Sequence, residues 1–390
     1  MPEKERKNIV PEFAETDKQK RKTQNSKPKA KNKDKTDLPN KLEKPRKINR
    51  RTKSYGAIVL SLSCMFCCWI SNASAQFASS LAWGIHYTDN AFQLSDNDLQ
   101  ENEEGNPAFD FVHSADDVIV KSSFYEEYHT FYQWWQIYPW TQINGTQYIL
   151  NPAKQRLDFL GGIKVKRQYG EFGISYGYTP YVYVRDYKDN NGTGNRQEFR
   201  YAKNLFQAEM KIKPLNKTTL SMELNWEQRY HNKFFTEYDG DIITWTWGLR
   251  QSFPAFYADA SYGYRVYDTD RSEGFTNAED ASYESNIFAG GLLLKKMPLD
   301  SRYPNIKWRP ELNLKFENRY FQGSDTWHLC RTDNLNTTAA TLHFYFGDRW
   351  NINLDYSHLF RNVDADNENV IQQKEFGEDR FGLNVRYQLY

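Results

Sequence analysis

Cysteine is scarce in this chain. There are four in 390 residues, and Cys64, Cys67 and Cys68 crowd into one short apolar run. Only Cys330 lies beyond it, and one cysteine cannot close an internal disulfide, so no disulfide framework holds the fold. Long apolar runs are missing too. The run from Ala57 to Ile70 falls short of the roughly 20 residues a helix needs to cross a bilayer. No metal-ligand spacing, Gly-rich phosphate loop or nucleophile elbow is present, so neither a cofactor nor a metal is expected and no catalytic set is assigned. Apolar character is low, with a mean hydropathy of −0.85, yet 16% of the residues are Phe, Trp or Tyr. Rings of that size are usually core material. The two facts agree if apolar and polar residues alternate along strands that present one kind to each side.

The net charge of +1 is a cancellation. Residues 1–54 hold 19 Lys+Arg against 8 Asp+Glu, a net of +11, and leave −10 for the rest. This first segment has almost no apolar residues, so nothing in it offsets the entropy of ordering, and it reads as a disordered basic leader. Arg50, Arg51 and Lys53 then precede the apolar run, which ends in Ser71-Asn72-Ala73-Ser74-Ala75-Gln76. A basic flank, a short apolar stretch and a small-x-small end make a signal peptide over 55–75, cleaved before Gln76. A basic tail can bind nucleic acid, but an export signal directly after it argues against that partner. Three accounts of the long leader stay open: an extended leader, a start assigned too far upstream, or an uncleaved signal-anchor.

Beyond the signal the dominant pattern has period two. Leu220, Met222, Leu224 and Trp226 alternate with Ser221, Glu223, Asn225 and Glu227. Ile243, Trp245, Trp247 and Leu249 do the same, as do Leu312, Leu314 and Phe316, and Trp350, Ile352, Leu354 and Tyr356. A helix would scatter both sets over every face. Between the alternating runs, tight turns (near 168–170, 215–217, 254–255, 297–305 and 347–349) take turns with longer polar stretches. The runs number twelve across 123–390, an even count whose ends fall on the short-turn side. Asn144-Gly145-Thr146 and Asn191-Gly192-Thr193 match a glycosylation pattern but read first as loop turns. Residues 76–122 form an acidic segment ahead of the first run: a linker, a partial plug or a contact for a periplasmic partner. Trp83, Ile85 and Tyr87 alternate within it, and a strand there would disturb the even count.

Aromatic residues sit where a bilayer would want them. Phe253, Phe256, Trp308, Phe346 and Trp350 lie beside the short turns, and Tyr230, Tyr320 and Phe360 lie at the opposite ends, all in apolar parity. Two such girdles, together with asymmetric connections, are the pattern of a transmembrane barrel. On these residues the chain resembles the Gram-negative outer-membrane β-barrel superfamily. The terminal run Phe381 to Tyr390 is similar to that family's carboxy-terminal insertion signal, best with Leu389 and Tyr387 in its key positions. The resemblance implies an all-β fold: a closed antiparallel barrel of twelve strands in the outer membrane, in contact with lipid and with the barrel assembly machinery. In strand number, aromatic content and charge it is also similar in style to narrow twelve-stranded porins for acidic oligosaccharides.

Residues of opposite parity then face the lumen. The basic ones are Lys164, Lys166, Lys211, Arg229, Arg250, Arg265, Lys307, Arg309, Lys315, Arg319 and Arg386, and the acidic ones are Glu171, Glu209, Glu223, Glu227, Asp259, Glu311, Glu317 and Asp355. The lumen is thus mildly positive, with its densest group on the strand from Lys307 to Arg319. Two uses follow. The charges select solutes in a porin-like channel for small hydrophilic molecules, or they pair across strands and stiffen a closed barrel that acts through its extracellular loops. A rim hydrolase ranks last, since Ser357 and His358 are neighbours on one strand and point to opposite faces.

Overall fold

The computed structural model describes residues 76–189, 192–269 and 280–389. The leader, the signal run and Asn191 lie outside these residues. Fourteen strands close on themselves: β1 (Gln76–Thr88), β2 (Asp117–Tyr132), β3 (Trp135–Tyr148), β4 (Arg156–Arg167), β5 (Gly170–Lys188), β6 (Arg196–Leu215) and β7 (Thr218–His231) on one half of the ring. The other half is β8 (Gly240–Ser252), β9 (Phe256–Thr269), β10 (Tyr283–Leu294), β11 (Ile306–Phe321), β12 (Thr332–Phe346), β13 (Trp350–Asp364) and β14 (Phe376–Gln388). Each pairs antiparallel with its neighbours in sequence, and β1 pairs with β14 to shut the ring. A two-residue bridge, Met297–Pro298, adds to the edge of β11. Closure satisfies the ladder on every strand, which is what a wall in hydrocarbon requires.

The expected count of twelve is corrected to fourteen, and both additional strands lie in the first quarter of the ring. β1 falls inside the segment taken as pre-barrel, so the wall begins at Gln76 rather than at residue 123. Its opening residues Ala78, Ser79 and Ser80 are small on both faces, which hides the alternation. β3 was masked by breakers. Pro139 and Asn144-Gly145 stand within it, paired to Ile163, Asp158 and Leu157 of β4. The turn before it gave no signal either, because Gln133 takes the left-handed conformation, φ 52°, where Gly or Asn usually stands. Asn144 is therefore a wall residue, not a loop turn. Two missed strands keep the count even, and Gln76 and Gln388 both end at the side of the short turns.

At the other end the first connection, residues 89–116, is the most structured. Ser95 caps the helix α1 (Asp96–Glu103), accepting from the amide of Asp98. A 3-10 turn follows at Pro107–Phe109. Ala91, Phe92, Leu94, Phe109 and Val112 bury themselves against Tyr183 of β5. This apolar cluster resembles the core of a soluble domain, and a smaller one gathers Ile242, Tyr267 and Tyr283. The segment is thus the first long connection, at the end opposite the chain termini, and not a periplasmic lead-in. A short helix α2 (Glu368–Lys374) lies in the last long connection and contacts α1.

Candidate functional site

The two faces of the wall differ completely. On the outside, residues of apolar parity stand open: Leu224 is 38% exposed, Trp226 40% and Trp247 50%. The short-turn rim carries Phe253 stacked on Phe256 at 4.7 Å, Phe346, and Trp350 against Tyr387 at 4.5 Å, with Trp308 half-buried among them. Tyr230, Tyr320 and Phe360 are exposed near the opposite rim. So large an apolar surface in water would be an aggregation site. Lipid tails are the solvent that suits it, and a closed antiparallel wall with rings at both rims is the form that crosses them. The chain is a closed antiparallel β-barrel of the transmembrane kind.

The inner face of the barrel carries the charges. Arg265 on β9 reaches Glu317 on β11 at 2.8 Å, passing over β10, whose Ser285 hydroxyl also donates to Glu317 at 3.3 Å. Only the concave side of a curved wall lets next-nearest strands meet. Glu317 further accepts from Arg319 at 2.8 Å and Lys315 at 3.1 Å, and it is 1% exposed. Arg229 donates to Glu227 at 2.7 Å, with Lys203 on the same carboxylate at 3.4 Å. Arg250 forks onto Asp259 at 2.6 and 3.2 Å. Lys166 and Lys211 share Glu171 at 3.3 and 3.6 Å, and Lys211 also meets Glu209 at 2.9 Å. Pairing across strands and between alternate residues of one strand thus accounts for most of the predicted lumen charges.

The remainder are held otherwise. Glu223 accepts from Gln207 at 2.8 Å and Asn225 at 2.5 Å. Glu311 meets His343 at 2.9 Å, and Asp355 accepts from Thr341 at 2.9 Å. Among the described residues, Lys307, Arg309 and Arg386 have no carboxylate within 4 Å. Arg309 lies over the Tyr345 ring at 5.5 Å, Lys296 lies over the same ring at 3.7 Å, and the Arg309 Nε has no acceptor. These cations gather toward the short-turn mouth. His358, on the outer face, bonds Asp379 at 2.9 Å and turns away from Ser357.

Sequence reading missed a second charged level at the long-connection end. Arg331 forks onto Asp333 at 2.8 and 3.0 Å, and Arg361 donates to the same carboxylate. Arg380 bonds Glu378 at 2.5 Å, and Glu378 also takes the Thr88 hydroxyl at 2.6 Å. Asp333 and Glu378 are fully buried. Their parity matches the lumen set, but they sit where the alternation runs out into loops. Residues 89–116 reach this level. Gln93 donates to Glu378 at 3.1 Å, and Asp98 of α1 pairs with Arg185 of β5 at 3.1 Å. Lys154, in the turn between β3 and β4, stands 4.5 Å over the Phe92 ring. A cavity of about 290 Å³ opens beneath Gln93, lined by Lys315, Glu317, Arg319, Leu335, Thr337, Leu359, Arg361 and Phe376.

No family model matches this chain, and no curated protein matches its sequence. Solved structures do. An anion-selective porin from Comamonas acidovorans is 9% identical with a TM-score of 0.41, covering 82% of this chain and all of its own. A FadL homologue of Pseudomonas aeruginosa is 11% identical at 0.42, covering 81% of this chain and 91% of its own. The outer membrane protein OprD of the same organism is 10% identical at 0.35, covering 82% and 95%.

Proposed function

We propose that this barrel is an outer-membrane channel for passive diffusion of small hydrophilic solutes, with a modest preference for anions. The observation that carries the reading is the inner face: it is charged from one mouth to the other, and among the described residues Lys296, Lys307, Arg309 and Arg386, none with a carboxylate within 4 Å, add cations toward the short-turn mouth. Fixed charges in a low-dielectric wall concentrate counter-ions. The β1–β14 seam closes last on this reading, so the edge of β14 is free for the barrel assembly machinery until it pairs with β1.

Reversal potentials under a salt gradient in planar bilayers test this. The protein should conduct and favour anions, and Lys307→Gln with Arg309→Gln should abolish or reverse the preference while the barrel folds. The effect should fade as salt shortens the roughly 10 Å screening length found at 0.1 M. A cation preference in the unmodified protein defeats the selectivity reading. Absence of conductance turns the reading to a closed structural or binding barrel, which the dense pairing around Glu317 and the inserted residues 89–116 would then explain. A hydrolase has less support, because His358 and Ser357 point to opposite faces and His343 is engaged by Glu311 and Asn353.

A further inference from the structure

Around the cavity beneath Gln93 the charges do not balance. Glu317 and Asp333 are both buried and both saturated: three cations surround the first, and the guanidinium groups of Arg331 and Arg361 hold the second. Among the described residues, five cations, Arg265, Lys315, Arg319, Arg331 and Arg361, therefore share these two carboxylates, an excess of three positive charges. Three of the five, Lys315, Arg319 and Arg361, line the cavity itself. The Nε of Arg361 has no acceptor. Uncompensated charge inside a protein is costly, and a ligand of opposite charge is the usual remedy.

We propose that this cavity binds a small dicarboxylate in transit. Its volume of about 290 Å³ gives room for a molecule of a few carbons. Arg319 and Arg361 lie on β11 and β13 with β12 between them. Arg319 donates its Nε–H to Glu317 and Arg361 one terminal N–H to Asp333. Each keeps donors for one further carboxylate, so an anion with two separated carboxylates uses both. Thr337 on β12 and Gln93 from the inserted segment complete the polar lining, and Phe376 supplies an apolar wall for the carbon chain. The proposal rests on the channel reading, since the anion must reach a site inside the wall.

Calorimetric titration of succinate into the whole barrel in detergent, at low salt, tests it. Saturable binding is expected, weaker in rising KCl, with Kd raised about tenfold by Lys315→Gln and by Arg319→Gln. Each substitution leaves Glu317 two other cations, and heat-modifiable migration reports folding. Thr337→Asp adds a negative charge without removing a pair, so it should raise Kd even where an Arg variant fails to fold. Arg250→Gln, elsewhere on the inner face, should leave Kd unchanged. Inorganic phosphate and uncharged succinamide serve as comparison probes. Succinamide binding as well as succinate, or phosphate binding at least as tightly, overturns the dicarboxylate assignment, as does a Kd indifferent to Lys315→Gln, Arg319→Gln and Thr337→Asp. Conductance of the same preparation reads the channel separately: a barrel that conducts without binding refutes the site alone, and one that binds without conducting refutes the channel alone.

Discussion

The wall and the inserted segment are held together by different means. β7 to β9 leave their apolar parity open on the outer face, at Leu224, Trp226, Trp245 and Trp247, and bury Ile242 and Tyr267 only near the long-connection rim. Their order comes from the ladder and from lipid. Residues 89–116 instead build a small apolar core in which Leu94 is fully buried and Phe92 is 4% exposed. One chain thus carries a membrane solution and a soluble-protein solution to folding, joined at Tyr183 and at the Asp98–Arg185 pair. The segment holds eight Asp and Glu and no Lys or Arg. It lies against a level of the wall rich in cations, so charge complements the apolar contact.

The wall should respond to polarity at a lipid-facing site far more than at an inner one. Leu224→Arg places a charge on the outer face, at a cost of about 2–4 kcal/mol near mid-membrane. Asn225→Arg, one residue on, puts the same charge in an inner face already lined by ions. Heat-modifiable migration on gels should show assembly lost in the first variant and kept in the second. Equal damage from both would dissolve the distinction between the two faces. In the inserted segment the sensitive property is packing. Leu94→Ala should cost about 2–5 kcal/mol, spent on docking of residues 89–116 and not on the wall. Faster proteolysis within that segment, with unchanged heat-modifiable migration, would sharpen the comparison. Unfolding of wall and segment together would break it.

The same contrast explains what could be read from sequence. The period-two signal is strong where both faces are fully expressed, as in Leu220 to Glu227, and there the strand could be placed. It fades where one face is made of small residues, as in Ser79-Ser80 of β1. It also fades where turn formers sit in mid-strand, as do Pro139 and Asn144-Gly145 of β3. A closed ring overrides such local preferences because an open edge in hydrocarbon costs more than one missing ladder bond at a proline. The set from Lys307 to Arg319 could be named by parity alone. The partners of those charges were not, because Arg265 meets Glu317 across an intervening strand, and nothing local encodes curvature. The acidic run Asp96 to Glu104 was visible as composition, but its return into the barrel depends on Phe92, Leu94 and Phe109, spread through a segment with no period.

The smallest expected effect is one of pH, and it separates the inserted segment from the wall once more. Lys154 lies in the turn Pro152–Lys154, outside the strands. Burial against Phe92 and Tyr148, helped by the nearby Arg185 cation, lowers its pKa to about 8. The docked segment therefore favours the neutral amine. Below pH 8 the full penalty of holding a desolvated ammonium near Arg185 is present. As pH rises from 8 toward the ordinary lysine value of about 10.4 the penalty is relieved, because the docked form is then neutral while the undocked form still binds its proton. Amide exchange within 89–116, corrected for its intrinsic pH dependence, should show greater protection at pH 9.5 than at pH 7. The strand amides of β7 to β9 should show no such gain. In Lys154→Met, which keeps the apolar stem and removes the amine, the pH dependence should vanish and the protection should stay at its high-pH level. A pH response that survives this substitution would assign it to other groups and leave Lys154 a packing residue only.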